Sequence, residues 1–512
     1  MSSGDSTATP TRGATESAKL HRRALGVPDL VFFIVAASAP LTAVAGGQAT
    51  TYLVTGNRGV PFMFIPLGIM LALFAVGYAA MSRYVANAGA FYSYVAQGLG
   101  KVQGVGAAFV ALIAYNSMQI GIYGLFGVAM GAFMSGQLGV DLPWWAWCLI
   151  GGAIIAVLGV LQIDLNARVL AVALGLEVLV VALFDLVVLA DPGPQGLSLV
   201  GFNPSIAFGT AVGATLTFCV ASFVGFESAA IYSEECRDPR RTVARATFIA
   251  VGLIAVFYAF SSWLVGVAAG FNTIVDPNAL VEAGYATAGS PDPTTVLFIA
   301  GAQRLGALWG TVAALLFATS LFAALLSFHN AVARYIFAIG REGVIPSVFD
   351  RVHPRTGAPW IASLSQSVLA LSVVGIFAVV GANPLLTLFT WLTNLGALGV
   401  LLLMTVTSFA VVGYFRRYPE QELSRWASTI APMVAGVLLL IVLVLGVANF
   451  NVLITGSTEA PTDIMAIVLP VILFGGGIVG LIVGAVLKSR RPDVYQRVGK
   501  GADAERSSRS GT

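Results

Sequence analysis

Twelve apolar runs follow one another along this chain, most of them about 20 residues long, the length a helix needs to cross the hydrocarbon core of a bilayer. They fall at 30–52, 60–81, 102–134, 144–161, 169–189, 208–232, 248–269, 308–333, 360–380, 385–415, 430–448 and 464–487. No water is present at membrane depth to bond a backbone N–H or C=O, so each run must close its hydrogen bonds within itself as a helix. The expected fold class is an all-α membrane protein of twelve transmembrane helices, its partner the lipid bilayer. With 57% of 512 residues hydrophobic and 10% charged, a soluble domain is excluded.

Basic residues orient the spans, because Lys and Arg in short loops stay on the cytoplasmic side. If both termini are cytoplasmic, 25 of the 27 lie in the tails and alternate loops on that side, and only Arg58 and Arg304 lie opposite. The expected location is therefore the cell (plasma) membrane, multi-pass, with both termini cytoplasmic. The formal charge of +3 then reflects topology, and no nucleic-acid partner is expected. The first 28 residues lack the apolar run and cleavage site of a secretory signal, and residues 1–17 and the tail from Gly499 read as disordered. Cys148 and Cys219 fall in spans and Cys236 in a cytoplasmic loop, an arrangement that does not suggest disulfides. There is no GxxxxGK[ST], no GxSxG and no Cys/His metal spacing. An enzyme, a cofactor and a metal centre are not expected.

Two spans contain residues that a continuous helix tolerates poorly. Segment 1 carries Ser38-Ala39-Pro40 and segment 6 carries Ser222-Phe223-Val224-Gly225. Proline lacks an N–H and its ring clashes with the preceding turn, while glycine has the highest helix cost of the ordinary residues. Broken helices at membrane depth survive where they line a cavity, so the pair marks a binding site. Lying five spans apart, the breaks divide the first ten helices into two repeats of opposite orientation, with two helices behind. The expected organisation is a cytoplasmic tail at 1–28, a first five-helix repeat at 29–190, an inverted second repeat at 206–415, helices 11 and 12 at 425–487, and a cytoplasmic tail at 488–512. A proline kink and a packing glycine are the plainer alternative.

Three stretches resemble the amino acid-polyamine-organocation transporter superfamily. Asn87-Ala88-Gly89-Ala90-Phe91-Tyr92-Ser93-Tyr94 before Gly98-Leu99-Gly100 looks like its cytoplasmic Gly-then-Tyr motif. Phe223-Val224-Gly225-Phe226-Glu227, running on to Glu234-Glu235-Cys236-Arg237-Asp238-Pro239, is similar to its segment 6 signature. The loop from Ala333-Arg334 through Gly340-Arg341-Glu342-Gly343 to Pro346 looks like its Arg-Asp-Gly-x-x-Pro loop. The resemblance implies the leucine-transporter fold and carriage of amino acids or related amines. The chain departs from the pattern at three places: Pro40-Leu41-Thr42 stands where the family has Gly-x-Gly, Ala244 replaces a usual Pro, and Glu177 occupies the segment 5 position where many members place a Lys.

An amino acid brings a carboxylate and an ammonium out of water, and both need partners. Half-helix ends supply them without extra charge, N–H groups at one and C=O groups at the other. The carboxylate is assigned to N–H groups around Ala39, Leu41 and Thr42, and the ammonium to carbonyls of Cys219, Val220, Ala221 and Ser222, next to Gly225. The hydroxyls of Thr42 and Ser222 are possible helpers. Phe223, at the break, is the candidate gate, and Phe218 and Phe226 are assigned to packing. Tyr115, Asn116 and Trp391 are candidates for the side-chain pocket. Glu177 and Glu227 are the candidate proton-coupling residues, since an intramembrane carboxylate must be protonated or paired. The alternative for each is a neutral, hydrogen-bonded packing residue. Asp185 sits nearer the outer end of segment 5. His329 and Asn330 read as structural, Ser320 and Thr319 as possible sodium ligands, and Glu234, Glu235, Arg237, Arg240 and Arg241 as a salt-bridged hinge. The function expected is secondary active transport of amino acids by alternating access with proton-coupled uptake. An amine, amino acid or polyamine exchanger of the same fold is the alternative, and a sensor without flux is a third reading.

Overall fold

The structure is a computed structural model that describes residues 26–85, 90–161, 167–209, 211–227, 239–287, 291–421 and 423–500. Asn87 to Gly89 of the first motif and the charged stretch from Glu234 through Arg237 lie outside the described residues, as do both distal tails. The regular elements among the described residues are helices, and eleven of them are long and apolar enough to cross a membrane.

The first span is split. Helix α1 covers Val27–Ala37, and a π-helical turn, Thr42–Gln48, leads into α2 at Ala49–Thr55. Helices α3 (Val60–Ser82), α5 (Lys101–Leu138), α6 (Trp144–Leu161) and α7 (Ala167–Ala190) complete the first five spans, with the short α4 (Ala90–Gly98) between the second and third. The sixth span begins as α8, Val212–Phe223, and stops at the expected break. After it come α9 (Pro239–Ala269), the short α10 (Thr295–Leu305), α11 (Ala307–Arg341) and α12 (Trp360–Val379). The tenth span is a π-helical turn, Pro384–Phe389, continued by α13 (Thr390–Arg417), and the last two are α14 (Ala431–Ala448) and α15 (Met465–Arg490). Apart from the split first span and the sixth, of which α8 covers only the first part, the apolar runs lie on helices of nearly the expected bounds, and the long helices overrun their apolar cores at the loop ends, as α9 and α11 do.

Helices α8, α9 and α11 pack against the split first span, and α3, α5 and α13 pack against those three in turn, so the middle of the bundle is built from both halves of the chain. The final helices lie outside this group. Helix α15 runs along α5, where Gly480 and Gly484 lie so close that a methyl group on either would meet the backbone of Gly106 or Val102 at 3.0 Å or less. Without a hydrophobic drive between helices in lipid, such close approach is what holds one span to another. Arg58 and Arg304, the two basic residues on the sparsely charged side, are both engaged: Arg58 donates to Asn272 at 2.8 Å, and Arg304 lies 3.4 Å from Asp191.

Beyond α15 the chain turns into a short helix, α16 (Pro492–Arg497), which straps across the bundle end. Val494 and Val498 are fully buried there, the second against Ala96 of α4 and Val105 of α5. The Gly499 N–H donates to Glu342 at 3.1 Å, the Gln97 amide donates to the Gly499 carbonyl at 3.2 Å, and Lys101 donates to the Gln496 carbonyl at 2.7 Å. The other oxygen of Glu342 accepts from Tyr92 at 2.9 Å. One carboxylate thus joins the end of α11, helix α4 and the strap. Removing residues 491–512 takes away two buried valines, worth about 3 kcal/mol together. We expect a clear fall in the melting temperature of the purified protein in detergent; an unchanged melt would show that the strap adds no stability.

Candidate substrate site

At the first break the backbone leaves the helix at Ser38 and re-enters it at Pro40. Ala39 takes φ +44°, a left-handed value that costs an alanine about 1 kcal/mol or more. Pro40 opens the next half-helix, a position where a missing N–H and a fixed φ do no harm. The proline is therefore the start of a helix, and the break lies in the two residues before it. The loose carbonyl of Ser38, at the C-terminal end of α1, accepts from Tyr258 at 3.0 Å, and the Ser38 hydroxyl turns back to the Val35 carbonyl at 2.8 Å.

At the second break α8 ends in a turn over Val224–Glu227. The Val224 N–H returns to Ala221 and the Phe226 N–H to Phe223, so neither reaches the carbonyls of Val220 or Ser222. Gly225 has φ +114°, and a methyl group there would lie 2.9 Å from the Ala37 side chain and 3.1 Å from the Ala37 carbonyl carbon. The two breaks therefore touch, and only a residue without a side chain fits at the contact. Gly47 of the π-helical turn lies beside the Ser222 hydroxyl, which brings the two spans together again on the other side of the gap.

Between them is a cavity of about 60 Å³, lined at the breaks by Ser38, Ala39, Thr42, Ser222 and Val224. Met118 and Ile122 of α5, Phe218 of α8, Ala324 and Phe328 of α11, and Phe389 and Thr393 of the tenth span complete its wall. Most of these residues are buried, so the cavity lies within the bundle. The structure thus brings Ala39, Thr42, Ala221 and Ser222 to one cavity, together with Met118, Ile122, Phe328 and Phe389, whose apolar character gave no signal in a membrane span.

Several expected contributors stand elsewhere. Phe223 packs against Phe64 and Tyr258, with ring centroids at 5.9 and 6.4 Å, and it is Phe218 that faces the cavity. The Tyr115 hydroxyl donates to Glu227, Asn116 donates back to the Leu112 carbonyl, and Trp391 donates to the Ile454 carbonyl; none of the three lines the cavity. The Ala39 N–H is already bonded to the Ala36 carbonyl at 3.1 Å. The Leu41 N–H is directed at Glu177.

Glu177 is the residue with the most consequential neighbours. Its carboxylate on α7 sits at the start of the second half-helix and accepts from Ser320 of α11 at 2.7 Å. Ser320 and Thr42 are 3.0 Å apart through their hydroxyls. A serine has one proton to give, and Ser320 gives it to Glu177, so Thr42 donates to Ser320. A chain of three groups then runs from Glu177 to the cavity wall. Thr319, the other hydroxyl named with Ser320, is exposed and bonds only to the Leu316 carbonyl at 3.0 Å.

Glu227 lies just past the second break and is fully occupied, one oxygen accepting from Tyr115 at 2.8 Å and the other from the Gly225 N–H at 2.8 Å. Tyr78 donates to its backbone carbonyl at 3.2 Å. Asp185 accepts from Ser261 at 2.7 Å, and its second oxygen is buried with no partner among the described residues. His329 pairs with Ser363 at 2.7 Å, between α11 and α12, away from the cavity.

The family model for amino acid permeases matches residues 25–476. The chain belongs to the amino acid permease family. A low-affinity putrescine importer, PlaP, of Escherichia coli is 23% identical over 405 residues, 77% of this chain and 81% of that protein. The branched-chain amino acid permease BcaP of Bacillus subtilis is 24% identical over 432 residues, 80% of this chain and 84% of its own. The chloroplastic cationic amino acid transporter 6 of Arabidopsis thaliana is 28% identical over 218 residues, 43% of this chain and 32% of that one. Membership makes this protein a multi-pass membrane permease, a transporter of the twelve-span class that its sequence predicts.

The permease's two breaks respond oppositely to one methyl group. Gly225→Ala adds both a φ penalty and a clash, about 2 to 3 kcal/mol together, and opens the contact with Ala37. Ala39→Gly removes the strain at φ +44°. Substrate binding and thermal melting of the two variants should therefore move apart, the first weakened in both and the second holding or gaining stability. Equal losses would show that Ala39 is not strained.

Proposed function

We propose that this permease carries amino acids across the plasma membrane by alternating access, with uptake coupled to protons. The supporting observation is the hydrogen-bonded chain from Glu177 through Ser320 to Thr42, because it connects a titratable carboxylate to the wall of the substrate cavity. The substrate carboxylate takes the N–H and hydroxyl of Thr42, and its ammonium takes the carbonyls of Val220 and Ser222 with the Ser222 hydroxyl. Ala39 and Leu41 shape this end of the site without an N–H to spare. The distribution of basic residues, with both termini cytoplasmic, supports the plasma-membrane orientation.

The chain of hydroxyls supplies the coupling. While Glu177 is ionised it accepts, Ser320 donates to it, and Thr42 donates to Ser320; the Thr42 oxygen then shows only lone pairs to the cavity and repels a carboxylate. A proton on Glu177 makes it a donor and allows each hydroxyl in the chain to reverse. Thr42 can then donate into the cavity, and the Leu41 N–H is no longer held by a charge. Proton and substrate carboxylate thus favour the same state, which is the linkage a symporter requires. Glu227 holds the second break against α3 and α5 through Tyr78, Tyr115 and the Gly225 N–H, and its titration would loosen that turn.

Glu177→Gln fixes the neutral form and cannot pass a proton. With the protein in liposomes and one pH unit imposed across the membrane, a carrier moving one proton per substrate accumulates about tenfold. We expect the variant to lose this accumulation while still exchanging internal for external substrate. If the variant still accumulates substrate in response to the pH gradient, Glu177 does not couple. Uptake by the unaltered protein that requires internal substrate and ignores the gradient would establish the exchanger instead.

A further inference from the structure

We propose that the substrate of this carrier is a small amino acid with an uncharged, mainly aliphatic side chain, and that the cavity discriminates against diamines and cationic side chains. This inference rests on the carrier reading above and extends it to the class of side chain.

The argument begins with an inventory of negative charge. A diamine, or an amino acid with a basic side chain, brings a second cation that needs a partner once water is left behind. Three carboxylates are buried in this part of the bundle, and none of them lines the cavity. Glu177 is turned to Ser320 and the Leu41 N–H. Glu227 is closed on Tyr115 and the Gly225 N–H. Asp185 is turned to Ser261 of α9. The polar atoms that face the cavity cluster at the breaks, where the amino acid's own carboxylate and ammonium consume them.

The far wall offers a cation no charged partner. It is made of Met118, Ile122, Ala324, Phe328 and Phe389, with Phe218 at the side. The one hydroxyl there, that of Thr393, donates to the Phe389 carbonyl at 2.6 Å, and its oxygen is a single neutral acceptor, too little to replace the hydration of a second ammonium. Aromatic faces attract cations, but their help does not replace the hydration that a compact ammonium gives up on entering a dry site. Size points the same way. The cavity of about 60 Å³ has room for roughly five waters in the same measure, which suits a small amino acid and leaves no length for a second amine.

The test uses the full-length protein in proteoliposomes, with labelled L-alanine as the transported probe and L-valine, L-arginine and putrescine as unlabelled competitors. We expect valine to compete within about tenfold of alanine, and arginine and putrescine to be weaker by about 100-fold or more. Arginine or putrescine competing as well as valine, or being taken up itself, overturns the side-chain assignment while leaving a working carrier. A protein that neither transports nor is thermally stabilised by any amino acid or diamine overturns the carrier reading, and this one with it. Two variants test the wall itself. Ala324→Asp puts a carboxylate there and should improve competition by arginine or putrescine by about tenfold. Phe389→Ala enlarges the same wall without a charge and should shift preference toward leucine-sized side chains. If both variants fold and neither changes the order of competitors, the wall does not select.

Discussion

The structure depends on one contact where two spans break, Gly225 of the sixth against Ala37, the last residue of α1 in the first. Membrane depth punishes any loose N–H or C=O, so two broken helices can persist only if their ends are satisfied by something other than water. Here Tyr258 holds the end of α1, the Glu227 side chain holds the turn after α8, and Glu177 faces the start of the next half-helix. The groups left over lie beside one space within the bundle. The cavity follows from this division of hydrogen bonds, and α5, α8, α11 and the tenth span wall it.

Much of this architecture was legible in the sequence because it rests on rules that act locally. Apolar length marked the spans, and Pro40 and Gly225 marked the breaks to within a residue or two. Glu177 stood out because a carboxylate in Leu174-Gly175-Leu176-Glu177-Val178-Leu179 must find partners. The partners themselves were less legible. Ser320 was noticed as a hydroxyl on its span, but its bond to Glu177 joins residues 143 apart, and periodicity carries no information about such a pair. Phe223 looked like a gate because it sits at the break, whereas the direction its ring takes is decided by Phe64 and Tyr258 on other helices.

The departures from the family's glycine-rich first span have a coherent physical effect. An alanine at the left-handed position and a proline at the start of the next half-helix make the break stiffer than Gly-x-Gly would, since both residues have fewer backbone states to lose on folding. The proline also leaves one donor fewer at the half-helix terminus. Thr42, the next residue but one, supplies a hydroxyl in its place, and through Ser320 that hydroxyl shares its proton with a carboxylate on another span. A stiffer break with a side-chain hydroxyl beside it replaces a flexible break with backbone donors alone.

The strap at the bundle end carries a consequence for how the molecule is made. Gly499 follows every membrane span in the chain, and its N–H is one of the groups that hold Glu342 between α11 and α4. During synthesis those helices are made before that donor exists. The bond from Gly499 to this carboxylate is therefore made only after the twelfth span has been delivered, which places this clamp late in the order of translation.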